Sequence, residues 1–214
     1  YTYKNSADPA HSYYPHNSWN QYYYAGVDCS AYIGWTVYNV MHTQNSVNTD
    51  NDGYVMSSTK MAKTFADKGW GTWTRDIKSF KPGDIFSMSG HVWMCLGPCG
   101  DGSLVILHST PDSKAGQGGG GVQLSALNPN SDDDKNCEAY KLVTKYMTKY
   151  YPEWSERYDA VLRSYDSYAA PATGSPFKET WSGNFSWNLD GTGLTDPDGY
   201  ADMSAAEILA DLFG

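Results

Sequence analysis

The chain has 214 residues, of which 24 are acidic and 15 basic, for a net charge of −9. That balance excludes a phosphate-backbone partner and adhesion to anionic lipid, both of which need a basic face. A hydrophobic fraction of 40% beside only 18% charged residues supports a packed core rather than a disordered chain, and no apolar run reaches the ~18 residues of a membrane span.

Residues 1–27 are rich in Tyr, Asn and His without a clear period and read as an irregular arm crossing the domain surface. Asp28 is a good N-cap, which predicts a helix from Cys29 to about Met41. Ala31, Tyr32, Ile33, Trp35, Val37, Tyr38 and Val40 leave few polar sides, so the helix is expected to be buried all round. Gly34 inside it costs about 1 kcal/mol against Ala and points to a close approach by another backbone. A second helix fits Ser58 to Lys68, with Met61, Ala62, Phe65 and Ala66 on one face and Gly69 as its stop.

Strands follow. Lys81-Pro82-Gly83 is a turn, Asp84–Met88 a strand, Ser89-Gly90 a turn, and His91–Leu96 a strand. Residues 97–102 form a loop, and Ser103–Ser109 returns. The glycine run 116–121 lacks the G-K-[ST] ending of a phosphate cradle and reads as a flexible loop, and Val122–Leu127 as a further strand. Beyond the acidic loop Asp132-Asp133-Asp134, helices are expected over Glu138–Tyr150 and Pro152–Tyr168. PATGSP at 171–176 is a plausible boundary. A last helix opens on the capping box Ser204 to Glu207. The aspartates of 190–202 read as turns, because the loop starting at Asp196 has Ala201 where a calcium-binding hand needs Gly.

If the 97–102 loop is a simple hairpin, Leu96 pairs with Ser103 and, counting back, His91 pairs with His108. His91, Trp93 and Cys95 would share a face with Leu104, Ile106 and His108. Two imidazoles then sit side by side. They could hold zinc with Cys29 or Cys95 completing the shell, but such sites usually carry close ligand pairs such as C-x₂-C or H-x₃-H, and the nearest candidate, Cys95 to Cys99, spans a strand end and a turn. The other chemistry is nucleophilic. Cys29 at a helix start meets free N–H groups and the positive end of the helix dipole. His91 would be its base, and His108 would orient His91. Taken singly, each has a plainer reading: a cysteine there is more often a small buried hydrophobe, and a strand histidine more often structural. Of the four cysteines, Cys99 and Cys137 look exposed and are the pair expected if any bridge forms.

The stretch GVDCSAYIGW around Cys29 resembles the nucleophile motif of the NlpC/P60 family of cysteine peptidases. KPGDIFSMSGHVWMCLG resembles its second motif, and LVILHST its third, in the same order. The resemblance covers about residues 20–127. It implies an α+β, papain-like core in which the nucleophile helix packs on an antiparallel sheet, with Cys29 as nucleophile, His91 as base and His108 as orienting residue. It also implies hydrolysis of peptide bonds in bacterial peptidoglycan stem peptides, often between D-glutamate and the diamino acid, with no metal or other cofactor. Asp28 and Ser30 are expected near the substrate amine, although Asp28 as a plain N-cap fits equally well. Trp93 lines the cleft or simply packs. For the upstream tyrosine that serves the oxyanion or substrate, rough alignment favours Tyr22, with Tyr24 as the alternative. Ala31 stands where the family usually has Gly.

The expected organisation is a catalytic core at 1–137 and a mostly helical C-terminal extension at 138–214 packed on it. The protein is expected to be a monomer, extracellular or associated with a bacterial wall, with the stem peptide as its partner. Two other functions stay open: a catalytically silent module that holds cell-wall peptide or glycan, and a related papain-like amidase or acyltransferase.

Overall fold

The computed structural model describes residues 28–41, 53–111, 120–152, 160–169 and 181–214. The expected N-terminal arm, with Tyr22 and Tyr24, and the 171–176 boundary lie outside them. The fold is α+β, a mixed seven-stranded sheet with five α-helices among the described residues. In chain order the elements are α1 (Cys29–Met41), α2 (Met61–Asp67), β1 (Gly71–Thr74), β2 (Ile85–Met88), β3 (His91–Pro98), β4 (Leu104–Pro111), β5 (Gly120–Asn128), α3 (Glu138–Tyr150), β6 (Leu162–Ser164), α4 (Tyr165–Tyr168), β7 (Gly183–Trp187) and α5 (Ala205–Phe213). The sheet order is β1-β7-β2-β3-β4-β5-β6. Every pairing is antiparallel except that of β5 with β6.

Alternation along the central strands sorts side chains to two faces. On one face, Ile85, Val92 and Phe185 pack against Ile33 and Val37 of α1 and Met61, Ala62 and Phe65 of α2. Further along that face, Val105, Leu124 and Ala126 meet Val143 and Met147 of α3 and Ile208 and Leu209 of α5. The opposite face gathers Phe86, Trp93, Cys95, Leu104, Ile106 and Leu127 under Phe80, Tyr165 and Tyr168.

Helix α1 starts as expected. Asp28 Oδ1 accepts the Ala31 N–H at 2.7 Å, and its carbonyl accepts the Tyr32 N–H at 2.9 Å. Gly34 is the close approach: a Cβ there would lie 2.5 Å from the Tyr54 carbonyl oxygen. The helix is not buried all round, however. Ile33, Gly34 and Val37 face the sheet, while Trp35 and Val40 are exposed. One stripe of α1 meets the core, flanked by the partly buried Cys29, Tyr32, Tyr38 and Met41.

The C-terminal part is not an appendage. β7 lies between β1 and β2, inside the sheet, and β6 extends the other edge. The long helix expected over Pro152–Tyr168 is corrected in its second half: residues 162–164 form β6, followed by the single turn α4. Backbone pairing at the sheet edge explains this, since the Ala126 N–H donates to the Val161 carbonyl. Asp132 Oδ1 also accepts the Ser164 N–H at 2.6 Å, and Ser164 caps α4. Asp196 is spent on turns, accepting the Tyr200 and Ala201 N–H groups.

Candidate active site

Three devices place the start of β3. The Lys81-Pro82-Gly83 turn closes on Asp84, which is buried and accepts the Lys81 N–H and the Asn184 side-chain amide of β7. Burial pushes the Asp84 carboxyl up. At the far end of β2, Ser87 Oγ accepts the Ala62 N–H of α2 at 2.9 Å and the Met88 carbonyl accepts the Thr59 hydroxyl. Between Met88 and His91 the chain reverses through Ser89-Gly90, with Gly90 at φ 72°, a left-handed conformation that glycine adopts freely.

The β3–β4 register differs from a simple hairpin. A bulge at Leu96 separates Cys95↔Ile106 from Gly97↔Val105, and the ladder ends at Met94↔Leu107. Continued, it sets Trp93, not His91, level with His108, and His91 one diagonal step away. The shift is two residues, so the faces expected for these side chains are unchanged. The two rings meet across the diagonal: His91 Nε2 and His108 Nδ1 share a hydrogen bond of 2.7 Å, with ring planes at 69°. His108 is fully buried, and its Nε2 bonds Ser125 Oγ of β5 at 2.8 Å. The Tyr168 ring lies edge-on to both imidazoles, its centroid 5.3 Å from His91 and 6.0 Å from His108.

The Cys29 sulfur approaches from the helical side. The backbone N–H groups of Val92, Ser30 and Cys29 itself favour the sulfur as an anion. Cys29 packs against the cluster that contains Val92, the residue after His91 on β3. Burial outweighs these donors, with Asp28 adding to it, and pushes the thiol up. Burial also pushes His91 down to about 4 and, with His91 and Arg163 nearby, His108 down to about 3. At neutral pH the group therefore rests as a thiol and two neutral imidazoles, rather than as the thiolate–imidazolium pair that a helix N-terminus alone would favour.

Trp93 does not line a cleft. It is fully buried, stacked with Phe86, and its Nε1 donates to the Tyr168 carbonyl at 3.1 Å. It props the residue that covers the histidines. Asp28 and Ser30 are engaged with each other, the Ser30 hydroxyl donating to Asp28 Oδ1 at 2.9 Å, so the N-cap reading of Asp28 describes what is seen. All four cysteines are free. The bridge expected between Cys99 and Cys137 is absent: Cys137 is buried rather than exposed, and burial pushes the half-buried Cys99 thiol up to about 11. Sequence reasoning missed Ser125 and Tyr168. Ser125 was in reach, because it stands on β5 directly across from Ile106 on the histidine face. Tyr168 was hidden inside the helix expected over 152–168.

Among the described residues no group of three or more His, Cys, Asp and Glu is arranged to hold a metal ion, and no helix is long and apolar enough to cross a membrane. Compared with protein-family models, with curated proteins and with solved structures, the chain has no match in any of the three.

Proposed function

We propose that this chain is a cysteine peptidase of the NlpC/P60 type, with a papain-like core, that hydrolyses peptide bonds in bacterial peptidoglycan stem peptides. The single observation that carries the reading is the hydrogen-bonded His91–His108 pair at the start of β3, with the Cys29 end of α1 packed beside Val92, the next residue of that strand. The motif order of the sequence supplies the substrate class, and the D-glutamyl–diamino acid bond is the bond proposed within it.

The chemistry follows from a resting pair that is neutral. His91 Nε2 is occupied by His108, so Nδ1 is the nitrogen that takes the thiol proton once the two side chains meet at the start of β3. As the proton moves from Sγ to Nδ1, sulfur bonds to the scissile carbonyl carbon. The carbonyl oxygen becomes an oxyanion facing the Cys29 N–H. The C–N bond then breaks, the proton passes from Nδ1 to the departing amine, and a thioester remains. Water deprotonated by His91 releases the acid and restores the thiol. His108 shares the imidazolium's hydrogen bond and holds its plane throughout. An acidic protein acting on a wall polymer is placed outside the cell or on the wall, working as a monomer.

The raised Cys29 thiol favours one competing reading, a silent module of the same fold that only holds the stem peptide. Mass spectrometry of peptidoglycan treated with the wild type and with Cys29→Ala separates the two. The wild type is expected to release fragments cut within the stem, and the variant to lose about 10⁶-fold, down to background. Equal product patterns from both proteins would overturn the peptidase reading.

A further inference from the structure

We infer that Ser125 is a positioning residue that lets His91 carry its proton on Nε2, by accepting the N–H of His108; its catalytic consequence rests on the peptidase reading above. A neutral imidazole has one N–H and one lone pair. Ser125 Oγ, His108 and His91 therefore form a directed chain through the 2.8 Å and 2.7 Å hydrogen bonds, and that chain has only two senses. In one, the Ser125 hydroxyl donates to His108 Nε2, His108 Nδ1–H donates to His91 Nε2, and the proton of His91 is left on Nδ1. That ring cannot accept the thiol proton. In the other, His91 Nε2–H donates to His108 Nδ1, His108 Nε2–H donates to Ser125 Oγ, and His91 Nδ1 keeps a lone pair. Only the second sense gives a base.

The surroundings leave the choice to the serine. Ser125 is 1% exposed and His108 fully buried, so bulk water does not complete the chain. The ring that covers both histidines is Tyr168, with the Arg163 guanidinium on that tyrosine, 5.9 Å from its centroid. Neither side chain has a hydrogen bond to either imidazole among the described residues. A hydroxyl both donates and accepts, and it turns without moving the backbone. With Ser125 replaced by Ala, the productive sense would leave a buried N–H without an acceptor, whereas the reverse sense leaves only a buried lone pair. Among backbone groups orphaned N–H donors are rarer than under-satisfied acceptors, and the same preference reverses the chain here.

Long-range ¹H–¹⁵N NMR of the full chain with ¹⁵N-labelled histidine, at pH 7, reads both tautomers without any substrate. The expected result is Nε2–H on His91 and His108 in the wild type and in Ser125→Thr, which keeps the hydroxyl. In Ser125→Ala, Nδ1–H rises on both rings, and kcat on muropeptides falls about tenfold while KM holds. A wild-type spectrum with His108 protonated on Nδ1 would overturn the assignment, as would a Ser125→Ala spectrum identical to the wild type. If Ser125→Ala does not fold, the wild-type spectrum decides alone. If the wild type shows both Nε2–H tautomers yet cuts no peptidoglycan, the assignment stands and the substrate reading falls.

Discussion

Adjacent residues of β3 meet opposite surroundings. Val92 faces the helices, where the Cys29 end of α1 packs, so the thiol is placed by backbone: an N-capped helix start laid beside a strand. His91 and Trp93 face the aromatic side, where placement is by side chains: His108, Ser125, Phe86 and Tyr168. The difference teaches where each half of the site is fragile. The histidine half depends on buried groups that have no water to replace a lost partner. The cysteine half depends on amides that most substitutions leave in place.

Acid should break the histidine half first, and with the largest effect. Both rings have folded-state pKa values below the ordinary 6.5, so the unfolded chain binds protons that the folded chain refuses. The stability held by the neutral rings is fully present above pH 6.5. It is lost as pH falls through 6.5 towards about 4 for His91 and about 3 for His108, on the order of 3 kcal/mol for each ring by pH 4. Asp84 works the other way, because its raised pKa means that protonation is easier in the folded chain. Chemical denaturation at pH 7, 6 and 5 is expected to show a falling midpoint, and a midpoint constant over that range would contradict the burial of the pair.

Trp93 tests the aromatic side at a smaller scale. A fully buried indole replaced by Ala costs about 3–5 kcal/mol, and here it also frees the Tyr168 carbonyl. Trp93→Ala is expected to lower the unfolding free energy by that amount. Trp93→Phe, which keeps most of the volume, should retain more than half of the lost stability. A residue that lined a substrate cleft would instead change KM and leave stability nearly untouched, so measuring both quantities for the pair of variants discriminates the roles.

Local chemistry was legible in the sequence where a residue's neighbours in the chain decide its fate. Asp28 caps α1, Gly34 admits Tyr54, and Ser204 with Glu207 closes a capping box, because each needs only a few adjacent backbone groups. The shared face of His91 and His108 was legible because a shift of two residues preserves strand parity, although the bulge at Leu96 made the pairing itself unreadable. What could not be read depends on distant partners. β6 exists because the edge of β5 offers it hydrogen bonds, and β7 enters the sheet between strands that precede it by about a hundred residues. Trp93 was ambiguous for the same reason: the carbonyl that its indole bonds belongs to Tyr168, 75 residues further along the chain.

The cysteine half gives the smallest expected effect and the cleanest contrast. Asp28 accepts the Ala31 N–H and the Ser30 hydroxyl from an exposed position. Asp28→Ala removes an N-cap, worth about 1 kcal/mol. It also removes a negative charge that pushes the Cys29 thiol up. The two consequences have opposite signs for function: a slightly less stable helix start, and a thiol that ionises more readily. Titration of the Cys29 reaction rate with a thiol-directed reagent is expected to give a lower apparent pKa in Asp28→Ala than in the wild type, while Asp28→Asn keeps the cap and shows the charge effect alone. A higher apparent pKa in Asp28→Asn would mean that the carboxylate orders the amides around the sulfur more than it repels the thiolate, and Asp28 would then count among the groups that favour the anion.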